Sequence, residues 1–474
     1  MAASDAHSDE LLRSPEVDAL SAQDRALTTT LVLGTLRWQL ALDARIHELL
    51  ARPETKLSAE AATALQMAAY QLLHLDRVPA HAAIHDAVEL VKGTKERGAA
   101  GMVNAVLRKI QSSEHRAQSS ENRSAIGVQR SEKQQTADSG QRIENPVQAG
   151  GAIAAAWAHP EWMVERWVRR YGAEAAEAIC RWDQEPAGVT VRTDPGTELA
   201  GIETEPGVFL SRARCVVHGD VGRSAAMRER QARIQDEASQ LVAEIAAAAT
   251  TGPQSRRVLD LCAAPGGKTA ILAERLPKAE ITAVDVSRKR LDQMRKRMSG
   301  PLAERMRFEV ADAAKVELKP EWDLILADVP CTGTGTIARN PEIRLRVKEA
   351  DLRRQQARQI AILRAGLRGL KPGGRLVYST CSLEPEENEE VVAEVLRGVS
   401  GFDVVPVAEI LDRLAEGGVV TAEGRERLRS ATGGNDLRTV PGVHPCDGFF
   451  AAVVERQATG NRQQATGSGS GGIN

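Results

Sequence analysis

Two cysteines occupy positions that are suited to covalent chemistry. Cys331, in the run LILADVPCTGTG, and Cys381, in the run GRLVYSTCSLEPEE, each follow a stretch that is typical of a buried β-strand. An ionised thiol is a much stronger nucleophile than a hydroxyl, and a nearby cation or helix N-terminus lowers its pKa. Carbon 5 of a cytosine reacts poorly until another group adds to carbon 6, and a thiolate is suited to that addition. The pair therefore indicates covalent chemistry on a pyrimidine ring.

The other cysteines have a simpler interpretation. A single cysteine is more often an inert, buried, small apolar residue, and we interpret Cys180, Cys215 and Cys446 in that way. The six cysteines of the chain are too sparse for a disulfide framework, and none forms a CxxC pair that would indicate zinc. We therefore expect reduced thiols and no bound metal.

A glycine-containing turn precedes both reactive cysteines. Residues 260–269, DLCAAPGGKT, lie between a predicted strand and a predicted helix, where glycines allow the backbone to approach a ligand closely. The turn is not a GxGxxG sequence, and it lacks the earlier glycine of a P-loop, so dinucleotide and P-loop sites are disfavoured. A simple tight connection between strand and helix is the alternative.

Three acids, Asp285, Asp312 and Asp328, each close one of three successive predicted strands. In an open α/β sheet, ligands bind beyond the carboxyl ends of the strands, so these side chains are predicted to point into one crevice. A single acid there is more often a helix cap or a turn residue. Three in series with the glycine turn indicate a nucleotide-like cofactor, with Asp285 on its ribose. Asp328, close to Cys331, is suited to a hydrogen bond with a ring nitrogen of the substrate base.

The elements that must position these residues alternate between strand and helix from Arg257 onward. This alternation predicts a parallel sheet with right-handed crossovers, and the final run GFFAAVVERQ predicts an antiparallel strand near one edge. Between residues 24 and 110 the apolar residues instead recur at helical spacing, which predicts an all-helical bundle. The region between the two predicts helices and a few short strands, too few for a sheet of their own.

The chain is therefore predicted to be multidomain. Its 474 residues, 42% of them hydrophobic, are enough for two or three domains with substantial cores. Polar stretches rich in Ser, Gln and Gly cannot bury enough apolar surface to fold, and we expect them to be disordered. The predicted boundaries are 20–112 for the helical domain, 113–150 for a polar linker, 151–230 for a small α+β segment, 231–457 for the α/β domain and 458–474 for the tail.

The charge of the chain leaves its partners open. A net charge of −2 neither requires nor excludes nucleic acid, and the basic stretches 287–298, 337–348 and 351–371 are either phosphate contacts or plain solvated faces. Aromatic residues make up only 3% of the chain, so RNA recognition would rely on arginine. The acidic N-terminus is unlike a signal peptide, and no apolar run approaches the roughly 18 residues of a membrane span, which predicts a soluble cytoplasmic protein.

Several segments resemble the RNA cytosine-5 methyltransferases of the Sun/NOL/NOP family. They are DLCAAPGGKT at 260–269, DVPCTGTG at 328–335, YSTCSLEPEENE at 378–389, QDEASQ at 235–240 and DGFFAAVVER at 447–456. The N-terminal segments RVPAHAAIHDAVELVK (77–92) and GMVNAVLRKI (101–110) resemble the NusB-type RNA-binding domain. A NusB-like domain joined to this catalytic domain is similar to the bacterial RsmB enzymes, which methylate one cytosine of 16S rRNA. The similarity covers most of residues 20–456.

The resemblance implies a fold and a set of roles. The fold is an all-α NusB-like bundle, then the small α+β segment, then a Rossmann-like class I S-adenosylmethionine-dependent methyltransferase domain. In this family the cysteine of the TC block, here Cys381, is the nucleophile, while Cys331 assists product release. Asp328 lies between the methyl donor and the base, and Lys268 contacts the base. The residues implied to bind S-adenosylmethionine are Cys262, Ala263, Ala264, Pro265, Gly266, Gly267, Lys268, Asp285 on the ribose, Asp312 near the adenine, and Asp328.

The implied function is formation of 5-methylcytosine in 16S rRNA, free or in an early small-subunit assembly intermediate, by a monomeric enzyme. Two alternatives stay open: the same chemistry on tRNA or another rRNA, and a non-catalytic NusB-like RNA-binding or transcription factor. An NAD-binding oxidoreductase would explain neither cysteine. The family often has two arginines and an aspartate in the segment after Cys331, but this chain departs from that pattern with Ala338 and Glu342 in IARNPEIRL.

Overall fold

The computed structural model of the protein describes residues 8–12, 14–52, 54–127, 146–250, 257–298 and 301–458. The chain forms two compact units. Of the described residues, one unit comprises those up to Ala187 together with Thr336–Val347, and the other comprises those from Gly188 to Gly335 and from Lys348 onward. In the described part of the chain, no helix is both long enough and apolar enough to cross a membrane.

The α-helices of the described residues are α1 (Ser8–Leu12), α2 (Pro15–Asp18), α3 (Ala22–Leu49), α4 (Ala59–His74), α5 (Ala80–Lys92), α6 (Ala100–Gly127), α7 (Pro146–Ala156), α8 (Glu161–Tyr171), α9 (Ala173–Gln184), α10 (Ala225–Arg228), α11 (Glu237–Ala248), α12 (Gly267–Arg275), α13 (Arg288–Arg297), α14 (Pro301–Glu304), α15 (Ile343–Arg346), α16 (Glu349–Gly369), α17 (Glu389–Arg397), α18 (Val407–Glu416) and α19 (Ala422–Arg427). The strands are β1 (Val189–Thr193), β2 (Glu203–Pro206), β3 (Ala213–His218), β4 (Ala232–Ile234), β5 (Arg257–Asp260), β6 (Glu280–Asp285), β7 (Met306–Val310), β8 (Trp322–Asp328), β9 (Leu370–Thr380), β10 (Phe402–Val405), β11 (Leu437–Arg438) and β12 (Phe450–Arg456).

The first unit is helical, and its core lies among α3, α4, α5 and α6. Side-chain hydroxyls begin two of these helices: Ser21 accepts a hydrogen bond from the Asp24 amide, and Ser58 accepts one from the Ala61 amide. The helices approach one another closely, since a Cβ added at Gly34 in α3 would lie 2.0 Å from the Tyr70 ring in α4. The fully buried apolar residues that form the core include Leu42, Ile46, Leu65, Ile84 and Leu107. The predicted helical bundle is confirmed.

The segment Thr336–Val347 packs within the helical unit although it follows Cys331 closely in the chain. The buried Arg344 guanidinium donates to the backbone oxygens of Arg37 at 3.2 Å and Asp183 at 3.1 Å. Burial lowers the pKa of Arg344 to about 10. Glu342 is also buried and accepts hydrogen bonds from the amide and hydroxyl of Ser8. Arg344 is therefore neither of the alternatives considered for the basic stretch 337–348, because it is a packed structural residue.

The prediction of a polar linker needs correction at both of its ends. The stretch 113–150 is predicted to be a disordered linker, but α6 continues to Gly127 and α7 begins at Pro146. Glu, Gln, Arg and Ala form helices readily, a preference that low apolar content conceals. Residues 128–145 and 459–474, the rest of the predicted linker and nearly all of the predicted tail, lie outside the described residues.

The small α+β segment does have a sheet of its own. Its strands pair antiparallel in the order β2-β3-β1-β4. The prediction of too few strands is wrong because β4 is only three residues long and follows a short helix, so it carries no recognisable alternation. Arg192 in β1 is buried and pairs with Glu244 of α11 at 2.7 Å and Glu274 of α12 at 2.9 Å. These ion pairs connect the small sheet to α11 and α12 within the second unit.

The large sheet of the second unit has the order β10-β12-β9-β8-β5-β6-β7, with β11 paired to β12. Strands β5 to β9 are parallel, and β12 runs antiparallel beside β9 as predicted. Successive residues of β8 belong to different cores: Leu324 and Leu326 to one, Ile325 and Ala327 to the other. Because side chains alternate across a strand, β8 is buried on both faces. The carboxyl ends of the central strands are therefore the place where a ligand can bind.

Candidate active site

The glycine turn connects β5 to α12 and closes around a buried acid. Gly266 has φ +104°, which a residue with a Cβ rarely adopts, and an added Cβ would lie 2.7 Å from the Met294 side chain. Asp260, at the end of β5, accepts a hydrogen bond from the Thr269 hydroxyl at 2.7 Å. Burial raises the pKa of Asp260 to about 7. The backbone of the turn therefore lies at the strand ends, held by a carboxyl that is itself inaccessible.

Asp285 lies directly beside this turn. One of its carboxylate oxygens accepts from the Ala264 amide at 3.2 Å and from Arg290 at 3.3 Å, and the other accepts from the Ser287 amide at 2.8 Å. The Arg290 guanidinium also donates to the Ala264 carbonyl. The structure thus brings Asp285 and the predicted turn together, as the sequence suggests.

Apolar side chains accompany the acids at the neighbouring strand ends. Asp285 and Val310 are in register on the parallel strands β6 and β7. Val286 and Val310 are exposed by 55% and 41%, although most valines of the sheet are buried. Asp312 lies two residues after Val310, and one of its oxygens accepts from the Ala314 amide at 3.1 Å. Carboxylates for hydroxyl and amino groups, with valines for the flat face of a base, fit the nucleoside of S-adenosylmethionine.

A lysine and an aspartate form the next part of the site. Lys268 donates to one oxygen of Asp328 at 2.7 Å, and the Ser379 hydroxyl donates to the other at 2.7 Å. The ammonium also lies 4.9 Å from the centre of the Phe449 ring. Burial by itself lowers the pKa of Lys268, but the Asp328 carboxylate outweighs it and raises the pKa overall. The site therefore holds a cation whose charge is balanced by one carboxylate.

The two cysteines lie side by side. The Cys331 sulfur is 3.3 Å from the Cys381 sulfur, within hydrogen-bonding distance for thiols. Their loops also exchange a backbone contact, since the Gly335 amide donates to the Cys381 carbonyl at 2.9 Å. The hydrogen bond with Cys381 and then burial raise the pKa of Cys331 well above its ordinary value. At neutral pH, Cys331 is therefore a thiol that can donate to its neighbour.

The remaining cysteines are different. Burial raises the pKa of Cys180, Cys215, Cys262 and Cys446, so these thiols stay protonated. This agrees with the interpretation of Cys180, Cys215 and Cys446 as packing residues, while Cys262 belongs to the glycine turn. Among the residues that the structure describes, no group of three or more His, Cys, Asp or Glu side chains could hold a metal ion.

Two residues of the site escape the sequence reasoning. Ser379 comes two positions before Cys381, and its role as a partner of Asp328 depends on β8 and β9 being neighbours. Phe449 comes from the end of the chain and meets Lys268 only in the folded unit. The sequence offers a signal for Ser379 alone, since a polar residue near the end of a buried strand is unusual.

The described geometry can be compared with known proteins. Residues 249–455 match the family described as 16S rRNA methyltransferase RsmB/F, and residues 2–112 match the NusB family. Residues 159–196 match the ferredoxin-like domain of RsmF/B-like methyltransferases. The chain is thus similar to one known domain combination along most of its length.

Curated relatives extend over nearly the whole chain. A probable ribosomal RNA small subunit methyltransferase B of Bacillus subtilis is 31% identical over 95% of this chain and 95% of its own length. A ribosomal RNA small subunit methyltransferase B of Xanthomonas campestris is 32% identical over 91% of this chain and 89% of its own. Among solved structures, a methyltransferase homologue from Pyrococcus horikoshii covers 65% of this chain and 99% of its own, with 25% identity and a TM-score of 0.50.

Proposed function

Because the chain belongs to the RsmB/F family of 16S rRNA methyltransferases, we propose that it methylates carbon 5 of a cytosine in 16S rRNA through a covalent adduct with Cys381. The observation that carries the proposal is the contact of 3.3 Å between the Cys381 and Cys331 sulfurs. A non-catalytic RNA-binding protein needs no such pair, and an oxidoreductase of the NAD type has no use for it. One thiol is assigned to attack and the other to release.

The cofactor half of the site is assigned to the turn and the strand ends. When bound, S-adenosylmethionine supplies an electrophilic methyl group. The residues assigned to hold it are the backbone of Cys262–Lys268, the Asp285 carboxylate for the ribose and Asp312 for the adenine. Gly266 lets the backbone come close, and Val286 and Val310 offer apolar contacts for the base of the cofactor.

The first step is addition of the Cys381 thiolate to carbon 6 of the cytosine. As the new carbon–sulfur bond forms, the electrons of the ring double bond shift toward carbon 5 and the ring nitrogen and carbonyl. The Lys268 ammonium, 2.7 Å from the Asp328 carboxylate, supplies a cation for that developing charge, and Asp328 is assigned to positioning the base. Ser379 holds the second oxygen of Asp328, so the carboxylate keeps one orientation.

Methylation and release complete the cycle. Carbon 5, now nucleophilic, would form the new bond to the methyl group as the methyl–sulfur bond of the donor breaks and its electron pair stays on the donor sulfur. A base then removes the carbon 5 proton, the double bond reforms, and the carbon–sulfur bond breaks with its electrons going to Cys381. The Cys331 thiol, 3.3 Å away, can donate a hydrogen bond to the sulfur as it leaves. Cys331 is therefore assigned to product release.

The substrate is assigned as 16S rRNA, either free or in an early small-subunit assembly intermediate. The enzyme is proposed to be a monomer that acts in the cytoplasm. The experiment is methyl transfer from labelled S-adenosylmethionine to unmethylated 16S rRNA, presented both free and in assembly particles, with the product base identified by mass spectrometry. The proposal predicts 5-methylcytosine at one position. Cofactor binding with methylation of tRNA or 23S rRNA alone would overturn the substrate assignment and leave the chemistry.

A further inference from the structure

A buried carboxylate lies behind the two cysteines. Glu387 has no exposed surface, yet it lies only six residues after Cys381. Its carboxylate accepts hydrogen bonds from the Thr332 amide at 2.9 Å, from the Thr332 hydroxyl, from the Ser382 hydroxyl and from the Gln359 amide group at 3.0 Å. These neutral donors use all four lone-pair positions of the two oxygens. A buried carboxylate that is so completely bonded has one fixed position.

The donors belong to both cysteine loops. Thr332 follows Cys331 directly, and Ser382 follows Cys381 directly. Gln359 of α16 also donates to the carbonyl of Pro330, the residue before Cys331, at 3.0 Å. A single side chain therefore bonds to the residue next to each reactive thiol.

We propose that Glu387 is a positioning residue that sets the separation of the Cys331 and Cys381 sulfurs by clamping their two loops together. This assignment deepens the proposed function, on which its catalytic meaning rests. The geometry of the clamp itself does not depend on which reaction the thiols perform.

Asn388, the next residue, provides a contrast. Its side chain accepts from the Thr380 hydroxyl and donates to the Ser382 carbonyl at 2.9 Å. Both contacts lie within the Cys381 turn, so Asn388 shapes one loop without reaching the other. Glu387 is the residue of this pair that joins the loops.

The Glu387 carboxylate also affects the protonation of Cys331. Burial raises the pKa of Glu387, while the hydrogen bonds from Ser382 and Thr332 oppose that rise. After the Cys381 hydrogen bond and burial, the Glu387 charge adds to the causes that raise the pKa of Cys331. The Glu387 charge thus favours the protonated form of Cys331, in keeping with a role in release.

The test measures how readily the two thiols meet, and it does not use the methyltransferase reaction. Diamide, an azo oxidant, takes two hydrogens from two thiols that can meet and becomes a hydrazine, leaving a disulfide. In the full-length protein, the rate of Cys331–Cys381 disulfide formation, followed by peptide mass spectrometry, reports how often the two sulfurs are in contact. We expect Glu387→Ala to slow this rate by about 100-fold, since a displacement of about 1 Å has effects of that order on reacting groups.

The matched control is Glu390→Gln. Glu390 lies three residues after Glu387, and its side chain is exposed and accepts a hydrogen bond from Gln356, so the substitution removes a charge outside the clamp. It should leave the rate unchanged, and Cys331→Ala should form no such disulfide. If Glu387→Ala does not fold, Glu387→Gln and Thr332→Val each remove part of the clamp with little change in volume. An unchanged disulfide rate in these folded variants would overturn the proposal.

Turnover provides the second readout. In Glu387→Gln we expect kcat to fall about tenfold or more while KM for S-adenosylmethionine stays within about twofold, because the cofactor half is untouched. A general loss of structure would raise KM as well. If the disulfide rate falls but the wild-type protein methylates no RNA, the clamp stands and the proposed function fails. If the wild-type protein methylates RNA but the disulfide rate is unchanged in the Glu387 variants, the proposed function stands and the clamp fails.

Discussion

The cofactor half of the site draws its contacts from nearby residues, whereas the thiol half joins distant loops. Thr269 and Asp260 are 9 residues apart, and Ala264 and Asp285 are 21 apart. Cys331 and Cys381 are 50 residues apart, and the Thr332–Glu387 contacts span 55. The assigned cofactor half is thus built from successive strands, β5 to β7, whereas the assigned reacting groups come from the loops after β8 and β9. Changes in the first half should weaken binding by degrees, and changes in the second should stop or trap the reaction.

Loss of the nucleophile should have the largest effect. Cys381→Ala removes the group that adds to carbon 6, so both the covalent protein–RNA complex and methyl transfer should fall to background. Labelled methyl transfer and denaturing gel electrophoresis measure the two. Cys215→Ala, a thiol assigned to packing, is the matched control and should keep both. Turnover by Cys381→Ala would show that Cys381 is not the nucleophile.

Loss of the second thiol should separate attack from release. Cys331→Ala leaves the nucleophile in place but removes the donor that is 3.3 Å from its sulfur, so covalent protein–RNA complex should accumulate while turnover falls. The complex is measured as a slow band on a denaturing gel after incubation with RNA and cofactor. The affinity for S-adenosylmethionine should not change, since the cofactor half does not contain Cys331. Normal turnover with no trapped complex would remove Cys331 from the mechanism.

A change in the cofactor half should have a graded effect. Gly266→Ala puts a Cβ at φ +104° and 2.7 Å from Met294, so we expect the Kd for S-adenosylmethionine to rise about tenfold, or about 1.4 kcal/mol. Calorimetric titration measures it.

The control for this change is Gly373→Ala, which has φ +76° and no atoms within 4 Å of the added Cβ. It carries similar backbone strain and should leave cofactor affinity unchanged. The rate of Cys331–Cys381 disulfide formation should be unaffected in both glycine variants. A slower rate in Gly266→Ala would mean that the two halves are not built independently.

The last prediction concerns the pH dependence of stability and not the reaction. Burial raises the pKa of Asp260 from 3.8 to about 7, so between these values the folded protein keeps a proton that the unfolded chain has released. The folded state then binds more protons, and the free energy of unfolding falls as pH rises from about 4 to about 7. Asp260→Asn cannot titrate and should show a flatter curve in denaturant unfolding measured across that range. Parallel curves for the two proteins would contradict the buried, protonated state of Asp260.

Much of the fold could be predicted because its signals are local. Strand and helix periods, the glycine turn and the acids at strand ends each depend on a few adjacent residues, and they suffice for the parallel sheet, the helical bundle and the location of Asp285 beside the turn. Features with short or unusual signals were missed. Strand β4 is too short to alternate, and the extension of α6 to Gly127 contains few apolar residues.

The sequence by itself determined which chemical groups this protein carries and the order of its elements, because residue type and hydrophobic period are properties of short stretches. Only the tertiary structure decided which groups meet. Three sets of contacts join residues far apart in the chain: those between the two sulfurs, those of Ser379 and Phe449 with the Lys268–Asp328 pair, and those of Glu387 with Thr332. The burial of Arg344 also belongs here, since a basic residue looks the same in sequence whether it faces water or packs against carbonyl oxygens.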